Sequence, residues 1–153
     1  MIYVDADACP VKPEITKVAE RHGLPVTFVA NTGLRPSRDP MITNVIVSGA
    51  FDAADDWIAE RAGAGDVVVT ADVPLAERCV LGGALVTGPT GRVFDDRNIG
   101  MARAMRDLGQ HLRETGESKG YNAAFSTRDR SAFLQTMERL CRQAKAMAKP
   151  AEE

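Results

Sequence analysis

Residues 65–74 read Gly65-Asp66-Val67-Val68-Val69-Thr70-Ala71-Asp72-Val73-Pro74. The three valines and the threonine form an unbroken β-type run with no polar alternation. Such a run suits a strand buried on both faces of a parallel sheet. Gly65 marks the turn before it. Pro74 sits where a helix begins, because its fixed φ and missing N–H are tolerated in a first turn. One short stretch therefore contains a central strand, an acid at its carboxyl end and the start of the next helix.

The neighbouring segments repeat the alternation. Met1–Asp5 is a β-type run ending in an acid, and 14–22 has helical spacing at Ile15, Val18 and Ala19, closed by Gly23. Pro25–Ala30 reads as a second strand, 31–40 as a loop with Gly33, Pro36 and Pro40, and 44–48 as a third strand. Phe51, Ala54, Ile58 and Ala62 form one face of a helix over 51–62. A helix over 74–81 ends at Gly82-Gly83, and 84–87 reads as a fifth strand before the turn Gly88-Pro89-Thr90-Gly91. Ile99, Ala102, Met105, Leu108 and Leu112 predict a helix over about 98–114. The polar stretch 117–128 reads as a loop, and Phe133 to Ala144 mark a last helix.

Strand–helix alternation over the first two thirds predicts an α/β fold. The expected architecture is an open, mostly parallel sheet flanked by helices, with two C-terminal helices added. The length of 153 residues suits one domain, expected over 1–148, with 149–153 as a flexible tail. No apolar run reaches the roughly 20 residues a membrane span needs, and the first residues lack the features of a signal peptide. A cytoplasmic protein without membrane association is expected. Three scattered cysteines without C-x-x-C spacing argue against a disulfide framework or a zinc site.

The net charge of −2 conceals an asymmetry. Residues 1–96 carry 8 Lys and Arg against 14 Asp and Glu, a balance of −6, and 97–153 carry 11 against 7, a balance of +4. In open α/β sheets, sites lie beyond the carboxyl ends of the strands. Strand one ends in Asp5-Ala6-Asp7 and strand four runs into Asp72, while the intervening helix carries Asp52, Asp55 and Asp56. Converging carboxylates repel one another, and a hard cation such as Mg²⁺ or Mn²⁺ relieves that repulsion with oxygen ligands. For any single Asp, a capping or turn role is the simpler explanation. Asp66, at the other end of strand four, is expected to stabilise its turn. Cys9 lies beside acids that disfavour a thiolate, so a packing role is expected.

The basic third offers Arg97, Arg103, Arg106 and Arg113 along one helical segment, then Arg128 and Arg130 after the loop. Arg103, Arg106, Arg128 and Arg130, with Lys12 after the first turn and Asn31 after strand two, are the candidate substrate-binding residues. Guanidinium forks suit phosphate. A pI of about 5.7 and only 5% aromatic residues limit non-specific nucleic-acid binding, with Tyr121 and Phe125 the stacking candidates near the basic loop.

Val4-Asp5-Ala6-Asp7-Ala8-Cys9-Pro10, Ala53-Ala54-Asp55 and the run Gly65 to Ala76 resemble the bacterial YaiI/YqxD family (DUF188, UPF0178). The Gly83-Ala84 pair, Arg128-Asp129-Arg130 and Phe133 match as well, and the resemblance extends to about residue 140. It implies a grouping with PIN-like domains, whose acidic cluster binds Mg²⁺ or Mn²⁺ and cleaves RNA or another nucleic acid. Carried over residue by residue, the PIN-like acids fall on Asp5, Asp55 and Asp72 as metal ligands and catalytic groups. Asp7 is the family's own second acid. The fourth acid has no secure counterpart, with Asp95, Asp96 and Asp129 as candidates.

Two other readings stay open. A hydrophobic strand followed by Asp-x-Asp also opens haloacid-dehalogenase-like phosphatases, with Asp5 as nucleophile and Asp7 as acid, although Cys9-Pro10 fits that pattern poorly. A non-catalytic nucleic-acid- or protein-binding module would keep the pocket without turnover. A homo-oligomer is also an expectation, through an exposed apolar helix face.

Overall fold

Strand β1 (Ile2–Asp5) lies inside a sheet of order β3-β2-β1-β4-β5-β6, formed with β2 (Val26–Ala30), β3 (Ile42–Ile46), β4 (Val67–Val69), β5 (Leu85–Thr87) and β6 (Val93–Phe94). The computed structural model describes residues 1–7, 9–31, 33–48, 52–114 and 125–148. The first five strands are parallel, and β6 runs antiparallel to β5. Five helices complete the fold: α1 (Lys12–His22), α2 (Ala53–Arg61), α3 (Val73–Leu81), α4 (Ile99–Glu114) and α5 (Thr127–Ala148). The α/β architecture with two C-terminal helices is thus present, in agreement with the PIN-like expectation. No helix among the described residues is long and apolar enough to cross a membrane.

The apolar patterning of the strands dictates two helical layers. Ile2, Val4, Val26, Phe28, Val67 and Val69 point to one face, where Ile15 and Val18 of α1 meet Phe133 and Met137 of α5. Val29, Val68 and Val86 point to the other, against Ile58 of α2 and Leu75 and Cys79 of α3. All three valines of β4 are at most 1% exposed, which is the burial its unbroken apolar run calls for.

The order of the strands places the site. After β1 the chain moves outward to β2 and β3, then α2 carries it back across β1 to β4. The order of strand addition reverses between the parallel β1 and β4, and such a switch point leaves a crevice at the carboxyl ends of the two strands.

Several boundaries differ from the sequence reading. β3 begins at Ile42 rather than Asn44, because the Val26 N–H reaches back to the Met41 carbonyl at 2.8 Å and sets the register early. β6 was not foreseen: two residues are too few for a periodic signal, and its pairing depends on the Gly88–Gly91 turn. α5 starts at Thr127, so the end of the expected 117–128 loop is helical. Its start is a reciprocal cap in which the Asp129 N–H donates to Ser126 Oγ at 3.1 Å and Asp129 Oδ2 accepts from the Ser126 N–H at 3.0 Å. On α4, Ile99 and Ala102 are buried, but Met105 and Leu108 are 58% and 50% exposed, so the apolar face is only partly covered. The expected roles of Phe51, Tyr121 and the 149–153 tail lie outside the described residues.

Candidate acidic site at the switch point

Asp5 ends β1, and Thr70 and Asp72 follow β4, so the two central strands deliver them to one crevice. Thr70 Oγ1 donates to Asp5 Oδ2 at 2.9 Å and accepts from the Asp72 N–H at 3.0 Å. One buried hydroxyl thus fixes both acid-bearing segments. Asp72 also caps α3, its Oδ1 accepting from the Leu75 N–H at 3.0 Å. On Asp5 and Asp72 one carboxylate oxygen orients the side chain, and the other takes no hydrogen bond among the described residues.

Asp7 lines the same small cleft with Cys9, Ala71 and Pro89, and its Oδ2 accepts from the Asn31 N–H at 3.1 Å. That bond joins the loop after β1 to the end of β2. Pro89 is held there by the β5–β6 turn, whose Gly91 (φ 87°) lies against α5. A Cβ on Gly91 would stand 2.7 Å from the Ala132 carbonyl group, so only glycine fits.

The electrostatics of the crevice are one-signed. Burial pushes the Asp5 carboxyl up, against the Thr70 hydrogen bond, and the negative charges of Asp72 and Asp7 add to the rise. Asp55, on α2, is pushed up to about 6 by burial and then by Asp72, Asp5, Asp52 and Asp56. Its neighbour Asp56 is neutralised by Arg78 at 2.7 Å, but among the described residues no lysine or arginine pairs with Asp5, Asp7, Asp55 or Asp72. The fold therefore brings Asp5, Asp55 and Asp72 into mutual influence, with Asp7 at the rim. No group of three or more His, Cys, Asp or Glu side chains among the described residues is gathered tightly enough to enclose an ion.

The other candidates are placed as follows. Burial pushes the Cys9 thiol up, partly offset by the Val11 backbone and Lys12, so it stays protonated and packs against the core. Asp66 accepts from the Gly63 N–H at 3.0 Å and meets the N-terminal amine at 3.4 Å, as a turn residue should. Of the fourth-acid candidates, Asp129 caps α5, and Asp95 Oδ1 accepts from the Arg97 and Asn98 N–H groups ahead of α4. Asp96 is exposed on the same turn.

Arg103 pairs with Glu77 of α3 at 2.8 Å, and Arg106 with Asp107 at 3.4 Å. Arg130 pairs with Glu14 at 2.6 Å, beside the Pro10 carbonyl and the Phe125 ring, while Arg128 is exposed on the first turn of α5. Lys12 opens α1. The sequence reading missed Thr70, which it took only as a strand end. A Thr two residues before an Asp is a recognisable local hydrogen-bonding unit, and that spacing was the available signal.

The sequence matches, over residues 3–143, the family described as uncharacterised YaiI/YqxD. A UPF0178 protein of Rhizobium etli is 82% identical over 148 residues, covering 97% of this chain and 96% of the relative. One from Mesorhizobium japonicum is 67% identical over 149 residues, covering 97% and 96%. One from Parvibaculum lavamentivorans is 58% identical over 137 residues, covering 90% of each. No solved structure matches the chain.

Proposed function

The chain belongs to the YaiI/YqxD family, and on that premise we propose that it hydrolyses phosphodiester bonds in RNA at the β1–β4 crevice, with Mg²⁺ or Mn²⁺ as cofactor. The observation that carries the reading is a set of mutually repelling carboxylates at a topological switch point, with no cation paired to them among the described residues. Unrelieved repulsion of this kind costs stability, and a divalent ion is the ligand that removes it.

The donor set fits such an ion in kind, since it is all oxygen and Asp5 and Asp72 each keep one carboxylate oxygen without a partner. The acids are not gathered closely enough to enclose an ion, so one or two carboxylates would hold it and water or phosphate oxygens would fill its remaining positions. When bound, the ion would supply an activated water and charge neutralisation at phosphorus. The chain's own groups have separate tasks. Asp5 and Asp72 hold the ion, and Thr70 keeps both in place. Asp55, raised by burial and by the charges of Asp72 and Asp5, would complete the carboxylate set whose repulsion the ion relieves. Asp7, at the rim and fixed to Asn31, orients the attacking water.

The test is cleavage of a short, labelled single-stranded RNA by the full chain with Mn²⁺ or Mg²⁺, against an EDTA control. Metal-dependent cleavage that Asp5→Asn and Asp72→Asn abolish is the expected result. Cleavage unchanged in both variants overturns the assignment. Calorimetric titration with Mn²⁺ adds a readout independent of substrate: wild type binds the ion and Asp5→Asn does not.

A further inference from the structure

A second cavity, of about 400 Å³, opens on the α1 face of the sheet, between the N-terminus of α1, the carboxyl half of β2 and the chain leading into β3. Its floor is apolar, made by Phe28, Leu34 and Ile42, and its rim carries Lys12, Arg35 and Asn44. The size is that of a small-ligand site, with the usual combination of apolar lining and a few polar groups. Neither Lys12 nor Arg35 has a carboxylate at ion-pair distance among the described residues, whereas Arg21, Arg78, Arg103 and Arg130 all do. Asn44 Nδ2 donates to the Arg35 carbonyl, so the segment bearing Arg35 is tied to β3.

We propose that this groove is a nucleotide subsite for single-stranded RNA. The base rests on the half-buried Leu34 and Ile42 of the floor, and the phosphate lies between Lys12 and Arg35. The proposal rests on the reading of the acidic crevice as an RNA-cleaving site, and it assigns the path of the strand beside the scissile bond. Three observations carry it. The cavity joins an apolar platform to two cations free of carboxylate partners, the two surfaces a nucleotide presents. The α1 N-terminus that borders it has no side-chain cap, since Val11 makes no such hydrogen bond, and its dipole adds positive potential at the rim. The groove also opens at the carboxyl edge of the sheet, where Lys12 and Asp5 both act on the Cys9 thiol. Val4 is in register with Phe28 and Phe28 with Asn44, so Asn44 is two strand spacings, roughly 10 Å, from the strand that carries Asp5. The Asp7–Asn31 hydrogen bond ties the loop after β1 to the end of β2, the strand that contributes to the groove.

This placement divides the basic groups by task. Lys12 and Arg35 grip substrate, while Arg103 braces α4 against α3. The acidic crevice repels phosphate until its charge is neutralised, and the groove gives the strand a hold that does not depend on the ion.

The test is fluorescence anisotropy of a labelled octameric single-stranded RNA bound to the full chain in EDTA, over a range of salt concentrations. Lys12→Ala and Arg35→Ala are each expected to weaken binding about 5-fold, and to reduce the slope of log K against log salt by about 0.7. Thr16→Phe, which fills the groove and leaves both charges in place, weakens binding without changing that slope. Asp66→Asn, at the opposite sheet edge, leaves binding intact. RNA binding that none of the three groove variants alters, or no binding by wild type, overturns the subsite. Groove-dependent binding without cleavage in any divalent cation upholds the subsite and removes the catalytic reading instead.

Discussion

Two regions of this molecule are rich in charge and treat it in opposite ways. Along the α1–α5 seam two acids meet bases: Glu138 takes Arg21 and His22 at 2.8 Å and Arg142 at 3.9 Å, and Glu14 takes Arg130. At the β1–β4 crevice Asp5, Asp55 and Asp72 face one another, and Asp55 is pushed up to about 6. The seam is complete as a folded chain. In the crevice no lysine or arginine among the described residues offsets the repulsion. Charge is neutralised within the fold at the seam and left opposed at the crevice, and the proposed function rests on that difference.

The widest separation between the two regions is expected in catalysis. Asp5→Asn and Asp72→Asn should each reduce metal-dependent RNA cleavage at least about 100-fold. Asn caps a helix as well as Asp does, so the melting temperature of Asp72→Asn should stay close to that of wild type. Asp66→Asn, at the opposite sheet edge, should keep full cleavage. Equal losses in all three variants would erase the distinction between functional and structural acids.

Next in size is Gly91→Ala. It places a methyl against Ala132 at a positive φ, and should cost about 3 kcal/mol by chemical denaturation. An unchanged denaturation midpoint would mean that the turn holding Pro89 over the crevice is not fixed by α5.

A smaller effect of opposite sign is expected at Asp55. Its folded pKa is raised from 3.8 to about 6, so the folded chain binds that proton more tightly and loses stability as pH rises from about 4 to about 6. Asp55→Asn should therefore stabilise the protein at pH 7.5, by about 1 kcal/mol after allowance for solvent screening, and give no gain below pH 4. Thermal melts at the two pH values check this, and saturating Mn²⁺ should shrink the gain at pH 7.5.

The smallest change is expected at the seam. Burial pushes the Glu138 carboxyl up, but the His22 ring, Arg21 and Arg142 outweigh it and hold it below 4.5. A lowered carboxylate stabilises above its unfolded pKa, and that gain is lost as pH falls through the folded value. Glu138→Gln should cost about 0.5 kcal/mol at pH 7 and nothing at pH 3. A cost independent of pH would assign Glu138 to packing rather than charge.

Much of this was legible in the chain. Val67–Val69 declared a doubly buried strand because nothing polar interrupts it, and Gly23 and Pro74 marked helix ends through backbone geometry that sequence encodes directly. The acids at the ends of β1 and β4 were readable for the same reason, since a strand end is a local property. Less legible were β6, too short to show a period, and the start of α5, where Ser126 and Asp129 cap a helix inside a polar stretch. Met105 and Leu108 carried a helical period that says nothing about coverage, and half or more of their surface is open.

The sequence by itself determined the alternation of strands and helices, the acids at the strand ends and the family. Each is a matter of local pattern, complete within a few adjacent residues. Only the tertiary structure decided which acids act together. Strand order brought Asp5 beside Asp72, Thr70 locked both, and Arg78 removed Asp56 from the set while leaving Asp55 in it. It also left Lys12 and Arg35 without carboxylate partners beside an apolar groove. Charge pairing depends on distances across the fold, and no spacing along the chain fixes those distances.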